Sequence, residues 1–246
     1  MVLNSADLVS RLAYCGQYER EVKGWLRTTV RQGDITVDVG ANTGVIASML
    51  SQLVGTCGEV VCFEPNPSCL ETLSQLQASG LNNLVILPFA VADSSGSVAL
   101  YESRVKGNSG LNSLYPHQDI DSTRSSPVPS LSLDDYFGLW SRRARVLKID
   151  VEGAEDRVLA GARHLLETGF VEYVVLEVSP NFRSLGWLGE FFSSLESPVR
   201  FFLLSETGRL RRKVKVSGID LESLVKLKHQ CNVVVQFMPN QSGCPA

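Results

Sequence analysis

The sequence predicts an α/β protein in which helices cover both faces of a mostly parallel sheet. Short apolar runs such as "ITVDV", "VVCF" and "NLVIL" alternate with segments of helical periodicity such as "VIASMLSQLV" and "SCLETLSQLQ". The strand-like runs are apolar throughout, as is typical of strands that are buried on both faces. Strands that alternate with helices form βαβ units, and the strands of such units run parallel.

We interpret residues 1–246 as a single domain, because the sequence shows neither an internal repeat nor an interdomain linker. Residues 1–32 have helical spacing and form an N-terminal helical extension, and residues 33–180 form the ligand-binding core. Residues 103–130 are rich in Ser, Asn, Gly, Pro and Asp, which predicts a long irregular loop that shapes a substrate pocket. The basic run at 209–216 follows a turn signal and fits an exposed hairpin or loop.

Composition narrows the class of protein and its partners. The formal net charge is −3, which argues against sequence-independent binding of nucleic acid. No apolar run is long enough for a membrane span, and the N-terminus lacks the apolar region of a signal peptide. The six cysteines include no C-x-x-C pair, so we interpret them as reduced thiols of a cytoplasmic protein. A homo-oligomer is left open.

The loop "DVGANTG", from Asp38 to Gly44, follows the first strand and opens a helix. Backbone amides and the positive end of a helix face a ligand at such a position. Gly40 permits the tight turn, and Gly44 lets the helix approach the strand. A dinucleotide fingerprint would have glycine at positions 42 and 45, but this chain has Asn42 and Val45 there, which argues against a nicotinamide cofactor.

Acidic residues at the strand ends favour a different ligand. Asp38 can face a cationic amine, and Glu64, at the end of the second strand, can accept hydrogen bonds from ribose hydroxyls. The end of the third strand can border an adenine. Amino acid, ribose and adenine together describe S-adenosylmethionine, although the two acids could instead cap helices. The predicted donor-binding residues in these segments are Asp38, Gly40, Asn42, Thr43, Gly44, Glu64, Pro65, Asn66, Ala92 and Asp93.

Several motifs resemble the FkbM family of S-adenosylmethionine-dependent methyltransferases, over about two thirds of the chain. They are "DITVDVGANTGVIA", "VVCFEPNP", "VLPFAVADSSGSVALYE", "LSLDDY" and "VLKIDVEGAEDRVLAGARHLL". The resemblance implies a Rossmann-like class I methyltransferase fold, with a seven-stranded, mostly parallel sheet whose last strand is reversed. It also implies O-methylation of a hydroxyl on a sugar, glycan or polyketide-type small molecule. "GQYERE" resembles a segment that precedes the first strand in the family, so Tyr18 and Glu19 are expected to close over the donor, unless Tyr18 is ordinary core.

The stretch "VLKIDVEGAE" places charges at the end of an otherwise apolar strand. Lys148 and Asp150 are two residues apart and are expected on the same face. Asp150 can accept or orient the proton of the acceptor hydroxyl, while Lys148 stabilises negative charge on oxygen or pairs with Asp150 or Glu177. Together with Glu152 in the following turn, these are the candidate catalytic residues. Glu155 is expected to favour the N-terminus of the next helix.

The remaining alternatives concern metal, loop residues and reaction type. Mg²⁺ held by Asp150, Glu177 and Asn181 is left open but not favoured, because the adjacent acidic pair that such sites often have is missing. In the long loop, Asn108 and Ser113 either contact donor or acceptor or belong to a plain turn cluster. His117 is a further candidate base. The same fold could methylate nitrogen or a carboxylate, and a nicotinamide oxidoreductase and a donor-binding module without turnover are alternatives from other classes.

Overall fold

A computed structural model describes residues 19–104, 112–116, 120–179, 185–207 and 213–238. The strands in these ranges are β1 (Ile35–Val39), β2 (Glu59–Phe63), β3 (Leu84–Leu87), β4 (Ala90–Val91), β5 (Gly96–Ser103), β6 (Ile120–Leu131), β7 (Ala144–Ile149), β8 (Val171–Val178), β9 (Val199–Thr207), β10 (Lys213–Ile219) and β11 (Cys231–Phe237). The helices are α1 (Arg20–Thr29), α2 (Val45–Val54), α3 (Pro67–Ala78), α4 (Leu133–Phe137), α5 (Glu155–Ala160), α6 (Arg163–Glu167), α7 (Leu185–Ser193) and α8 (Leu221–Leu224).

Within the described ranges, the main sheet has the order β10-β9-β11-β8-β7-β1-β2-β3. The strands from β8 to β3 pair in parallel, and β11 is antiparallel to both of its neighbours. The predicted α/β fold with a reversed last strand is therefore confirmed. The difference is an eighth strand, β10, which comes from the basic run and forms an antiparallel hairpin with β9. Charged side chains suit such an exposed edge, because they discourage pairing with another chain.

Helices cover both faces of the main sheet, as predicted. On one face, α1, α2 and α3 pack over buried residues that include Val146 of β7 and Val175 of β8. On the other face, α4 to α7 pack over residues that include Val39, Ile149 and Leu176. Both faces are apolar because each strand is covered on two sides. None of the helices in the described ranges is long and apolar enough to cross a membrane.

The prediction that residues 103–130 form an irregular loop is wrong for residues 120–130. Ile120–Leu131 forms β6, which pairs with β5 along most of its length and with β4 only at Ser130 and Leu131. The composition concealed this strand because most of its middle is exposed and polar. Pro127 and Pro129 are tolerated in it because a strand with one free edge can lack an amide hydrogen there.

The N-terminal extension is described only from Glu19 onwards, so the predicted helical spacing of the earlier residues lies outside the described part of the chain. Helix α1 packs closely on the edge of the sheet. A Cβ atom added at Gly24 would lie 2.2 Å from Cγ2 of Val214 on β10. Its first turn is also fixed by polar contacts: Nε of Arg20 lies 3.0 Å from Oε1 of Glu206, and Asn232 donates to Glu21. The start of α1 is thereby held at the end of the sheet where the charged residues lie.

Candidate active site

The glycine loop after β1 is pressed against the end of β7. Gly40 has φ +79°, and a Cβ atom there would lie 1.9 Å from the backbone oxygen of Asp150. Gly44 has φ +80°, and a Cβ atom there would lie 2.5 Å from a methyl group of Leu76 on α3. Both positions require glycine for backbone angle and for space. The loop thus brings the ends of β1 and β7 together at the carboxyl edge of the sheet.

Glu64 follows β2 and connects two loops. Its Oε2 accepts a hydrogen bond from the amide of Asn42, and its Oε1 accepts one from the amide of Asn66, each at 2.8 Å. Burial raises the pKa of Glu64 to about 7, although the two amides oppose this. Each oxygen keeps a second lone pair with which it can accept from a ligand hydroxyl. The alternative of a simple helix cap fits Asn66 instead, whose Oδ1 accepts from the amide of Ser68 at the start of α3.

Asp38 lies in β1 with its side chain fully buried. Burial raises its pKa to about 6, although the ammonium of Lys148, with Nζ 3.6 Å from Oδ1, opposes this. Neither carboxylate oxygen accepts a hydrogen bond from the described residues. Asp38 lines a narrow cavity, open to solvent, together with Gly40, Asn42 and Lys148. A buried carboxylate with open acceptor positions beside a cavity fits a cationic amine, as the sequence predicts.

The other predicted donor residues have local roles in the structure. Thr43 is buried, and its backbone amide donates a hydrogen bond to Oδ1 of Asn42. The backbone of Asn42 is left-handed, with φ +50°. Pro65 is half-buried in the loop between β2 and α3. Ala92 is buried, whereas Asp93 is exposed and lies 2.6 Å from Nη2 of Arg157. The carboxylate of Asp93 therefore has a partner other than an adenine.

Lys148 is the centre of a buried charge cluster. Its Nζ lies 3.1 Å from Oδ2 of Asp150, 3.5 Å from Oε1 of Glu19 and 3.6 Å from Oδ1 of Asp38. The hydrogen bond between Lys148 and Asp150 confirms that the two side chains share a face. Burial would raise the pKa of Asp150, but the Lys148 ammonium and the hydrogen bonds with Glu19 and Lys148 together outweigh it, and the pKa lies below its usual value. Burial raises the pKa of Glu19 well above its usual value.

A second cavity, narrow and open to solvent, also has Lys148 in its lining. Its lining includes Glu19, Asp150, Glu177 and Asn232. Lys148 lines this cavity and the one beside Asp38, so its side chain lies between the two. Burial, followed by the charge of Asp150, raises the pKa of Glu177, which accepts a hydrogen bond from Gln230. Sequence analysis missed Asn232, because no motif in the C-terminal part marks it.

The turn after β7 holds Glu152 in a left-handed conformation, with φ +53°. The hydroxyl of Ser113, which is buried, donates to the carbonyl of Glu152 at 2.7 Å. Ser113 therefore fastens the turn. Burial, followed by the charges of Asp150 and Glu177, raises the pKa of Glu152 to about 8.

Glu155 lies in the first turn of α5, as the sequence predicts. Its Oε1 accepts from the amides of Val151 and Gly153, each at 3.2 Å, and burial raises its pKa to about 8. Glu155 therefore stabilises the turn after β7 and the N-terminal end of α5.

Several predicted residues lie outside the described ranges: Tyr18, Asn108, His117 and Asn181. Among the described residues, no group of three or more His, Cys, Asp and Glu is arranged to hold a metal ion. The magnesium set of Asp150, Glu177 and Asn181 includes an undescribed residue and stays an untested prediction.

Known proteins resemble this chain in sequence and in fold. The chain is 27% identical over 161 residues to the hexuronic acid methyltransferase AglP of Haloferax volcanii, and the match covers 65% of this chain and 62% of that relative. A solved structure from Clostridium thermocellum, of a protein proposed to be an rRNA methylase, shares the fold with a TM-score of 0.50 and 12% identity, covering 89% of this chain and 94% of the other. A methyltransferase FkbM structure from Methylobacillus flagellatus has a TM-score of 0.49 and 13% identity, covering 96% of this chain and 56% of the other. The methyltransferase FkbM domain profile matches residues 38–215, so the chain belongs to the FkbM methyltransferase family.

Proposed function

We propose that the protein transfers a methyl group from S-adenosylmethionine to a hydroxyl of a sugar or glycan. The observation that carries this proposal is the pair of cavities that meet at Lys148, at the carboxyl edge of the sheet. Ligands of open α/β sheets bind at that edge. The relative from Haloferax volcanii, which acts on a hexuronic acid, supports a sugar acceptor.

The residues beside the first cavity fit the donor. Asp38 offers a buried carboxylate with open acceptor positions for the ammonium, and Glu64 offers one lone pair on each oxygen for the ribose hydroxyls. S-adenosylmethionine, when bound, supplies an electrophilic methyl group on a sulfonium. Asn42, with its side chain in the loop, replaces the glycine that would admit a pyrophosphate, so the loop suits this donor better than a dinucleotide.

The residues beside the second cavity fit the acceptor. Asp150 is the proposed base, because it lines this cavity and its carboxylate is ionised at neutral pH, ready to accept a proton. As the new C–O bond forms and the C–S bond breaks, the hydroxyl proton passes to this carboxylate. Lys148 orients Asp150 through their hydrogen bond. Glu152 and Glu177 lie close enough for their charges to interact with that of Asp150, and we propose that they orient the acceptor.

We also propose a cytoplasmic location, on the basis of the cysteine pattern. Cys57, Cys62, Cys69 and Cys231, which lie in the described ranges, are free thiols.

Titration calorimetry tests the donor, and methyl transfer tests the reaction. S-adenosylmethionine and its demethylated product should bind, and NAD should not. Purified protein with tritiated S-adenosylmethionine should label a sugar-containing fraction of a metabolite extract, and loss of labelling in EDTA would add a metal requirement. Failure of both adenosyl compounds to bind would contradict the proposal. Binding without any labelling would instead favour a donor-binding module.

A further inference from the structure

The second cavity is rich in hydrogen-bond acceptors and has little unbalanced positive charge. Its described lining carries the carboxylates of Glu19, Asp150 and Glu177, and the amide of Asn232. The cation of that lining is Lys148, whose ammonium lies within 3.6 Å of three carboxylates. The positive charge at this site is therefore already balanced by the protein.

The arrangement leaves capacity to accept hydrogen bonds. Oε2 of Glu19 is buried and accepts no hydrogen bond from the described residues. Asp150 uses Oδ2 for Lys148, and the carboxylate of Glu177 receives an amide hydrogen from Gln230. The oxygens of these carboxyl groups keep open acceptor positions, so they can take further donors. Sugar hydroxyls can donate the hydrogen bonds that these acceptor groups require.

The four residues come from four elements that are fixed to one another. Glu19 precedes α1, Asp150 follows β7, Glu177 lies in β8, and Asn232 lies in β11 and donates to Glu21 of α1. The acceptors therefore have fixed positions around this narrow space, which is open to solvent. Acceptors in such fixed positions can bind several hydroxyls of one sugar ring at once.

We infer that this cavity binds an uncharged, polyhydroxylated sugar ring and selects against a ring that carries a carboxylate. The inference rests on the proposed function and makes its substrate class narrower. A carboxylate on the ring would lie beside the ionised Asp150 and the carboxyl groups of Glu19 and Glu177, with Lys148 already engaged. Like charges brought together in a partly buried site weaken binding strongly.

This assignment differs from what the name of the relative would suggest, since that protein acts on a hexuronic acid. Other acidic groups reinforce it. Glu152 interacts with the charges of Asp150 and Glu177, and Glu21 of α1 interacts with that of Glu177. Within the described residues, carboxyl groups from α1, β7, β8 and the turn after β7 therefore lie near this cavity.

The experiment compares matched sugars on the full chain loaded with S-adenosylhomocysteine. Calorimetry first establishes that this compound binds. Saturation-transfer NMR then measures the affinities of methyl glucoside and methyl glucuronide, and of the corresponding galactose and mannose pairs. We expect the neutral member of at least one pair to bind on the order of tenfold or more tightly than its uronate. In Glu177→Gln the preference should shrink, while Glu71→Gln, which removes an exposed charge on α3, should leave it unchanged.

Each outcome decides between distinct conclusions. A uronate that binds as tightly as its neutral partner overturns the inference, and so does a loaded protein that binds none of these sugars. If the preference for the neutral sugar is unchanged in Glu177→Gln, the carboxyl groups that line the cavity do not cause it. If S-adenosylhomocysteine itself does not bind, it is the proposed function that fails.

Discussion

The two strand ends that form the site hold their carboxylates in different ways. At the end of β2, Glu64 accepts hydrogen bonds from the backbone amides of Asn42 and Asn66. At the end of β7, Asp150 is held by the ammonium of Lys148. Backbone amides belong to the loops themselves, whereas an ammonium is a single side chain that can be removed. The first arrangement is locally determined, and the second depends on one residue.

The difference also appears in what surrounds each acid. The partners of Glu64 are neutral, so it does not rely on a second charge being buried. Lys148 is shared by Asp38, Asp150 and Glu19, which reach it from three parts of the chain. Removing one partner of a buried ion pair leaves an uncompensated charge. The resulting loss of stability is larger than the stability that the pair contributed. The β7 end should therefore be the more sensitive of the two.

The sharpest way to test this comparison is Lys148→Met, which retains much of the side-chain volume. We expect the free energy of unfolding to fall by about 3–5 kcal/mol, because three carboxylates lose their buried cation. Urea unfolding near neutral pH measures it. The matched control is Lys226→Met, which removes an exposed ion pair with Glu222 and should cost less than about 1 kcal/mol. Equal losses in the two variants would contradict the central role of Lys148.

Asp150→Asn tests the chemical part of the β7 end. We expect turnover to fall by on the order of 100-fold or more, because the amide cannot accept the hydroxyl proton. The affinity for S-adenosylmethionine should change much less. Tritiated-methyl kinetics and calorimetry measure the two effects separately. Asp121→Asn, on the exposed strand β6, is the control. Equal losses of turnover and donor affinity would make Asp150 a positioning residue instead of a base.

Glu64→Ala tests the β2 end. We expect donor binding to weaken by on the order of 1–3 kcal/mol, because the ribose hydroxyls and two loop amides lose their acceptor. Glu64→Gln should fall between the wild type and the alanine variant, since it keeps one carbonyl oxygen. Calorimetry with S-adenosylhomocysteine measures the affinity. An unchanged affinity in Glu64→Ala would remove this residue from the ribose role.

The smallest expected effect is a dependence of stability on pH. The folded-state pKa values of Asp38, Glu64, Glu152 and Glu155 are raised to about 6, 7, 8 and 8, so the folded chain binds more protons than the unfolded chain. Their stabilising contribution is complete below the ordinary pKa values and is lost as pH rises through the folded ones. Asp150 has a lowered pKa and opposes this trend only in acid.

We therefore expect Tm to fall as the pH rises from about 5 to about 8. In Glu155→Gln the decrease of Tm over the same range should be smaller than in the wild type, because a buried titrating group is removed. Thermal unfolding at several pH values checks this. A Tm that rises steadily over this range would show that these carboxyls are not protonated in the folded state.

The sequence allowed the donor side of the site to be predicted more completely than the acceptor side. Periodicity placed β1, β2 and the glycine loop, and the backbone of that loop then fixed the position of Glu64. The contact between Glu19 and Lys148 joins residues that are far apart in the chain, and no local pattern signals it. Asp93 shows the opposite case. The sequence predicts that it binds S-adenosylmethionine, but in the structure its carboxylate forms an ion pair with Arg157.

By itself, the sequence determined the α/β class, the parallel order of the first strands, the donor loop and the charged end of β7, because each depends on residues that are close along the chain. The tertiary structure decided the strand β6, the extra edge strand β10, the partners of Lys148 and the second cavity with Asn232 in its wall. These features depend on which distant segments meet. Burial then sets the pKa values of the carboxyls, since the loss of solvent around a charge is a property of the folded chain and not of its sequence.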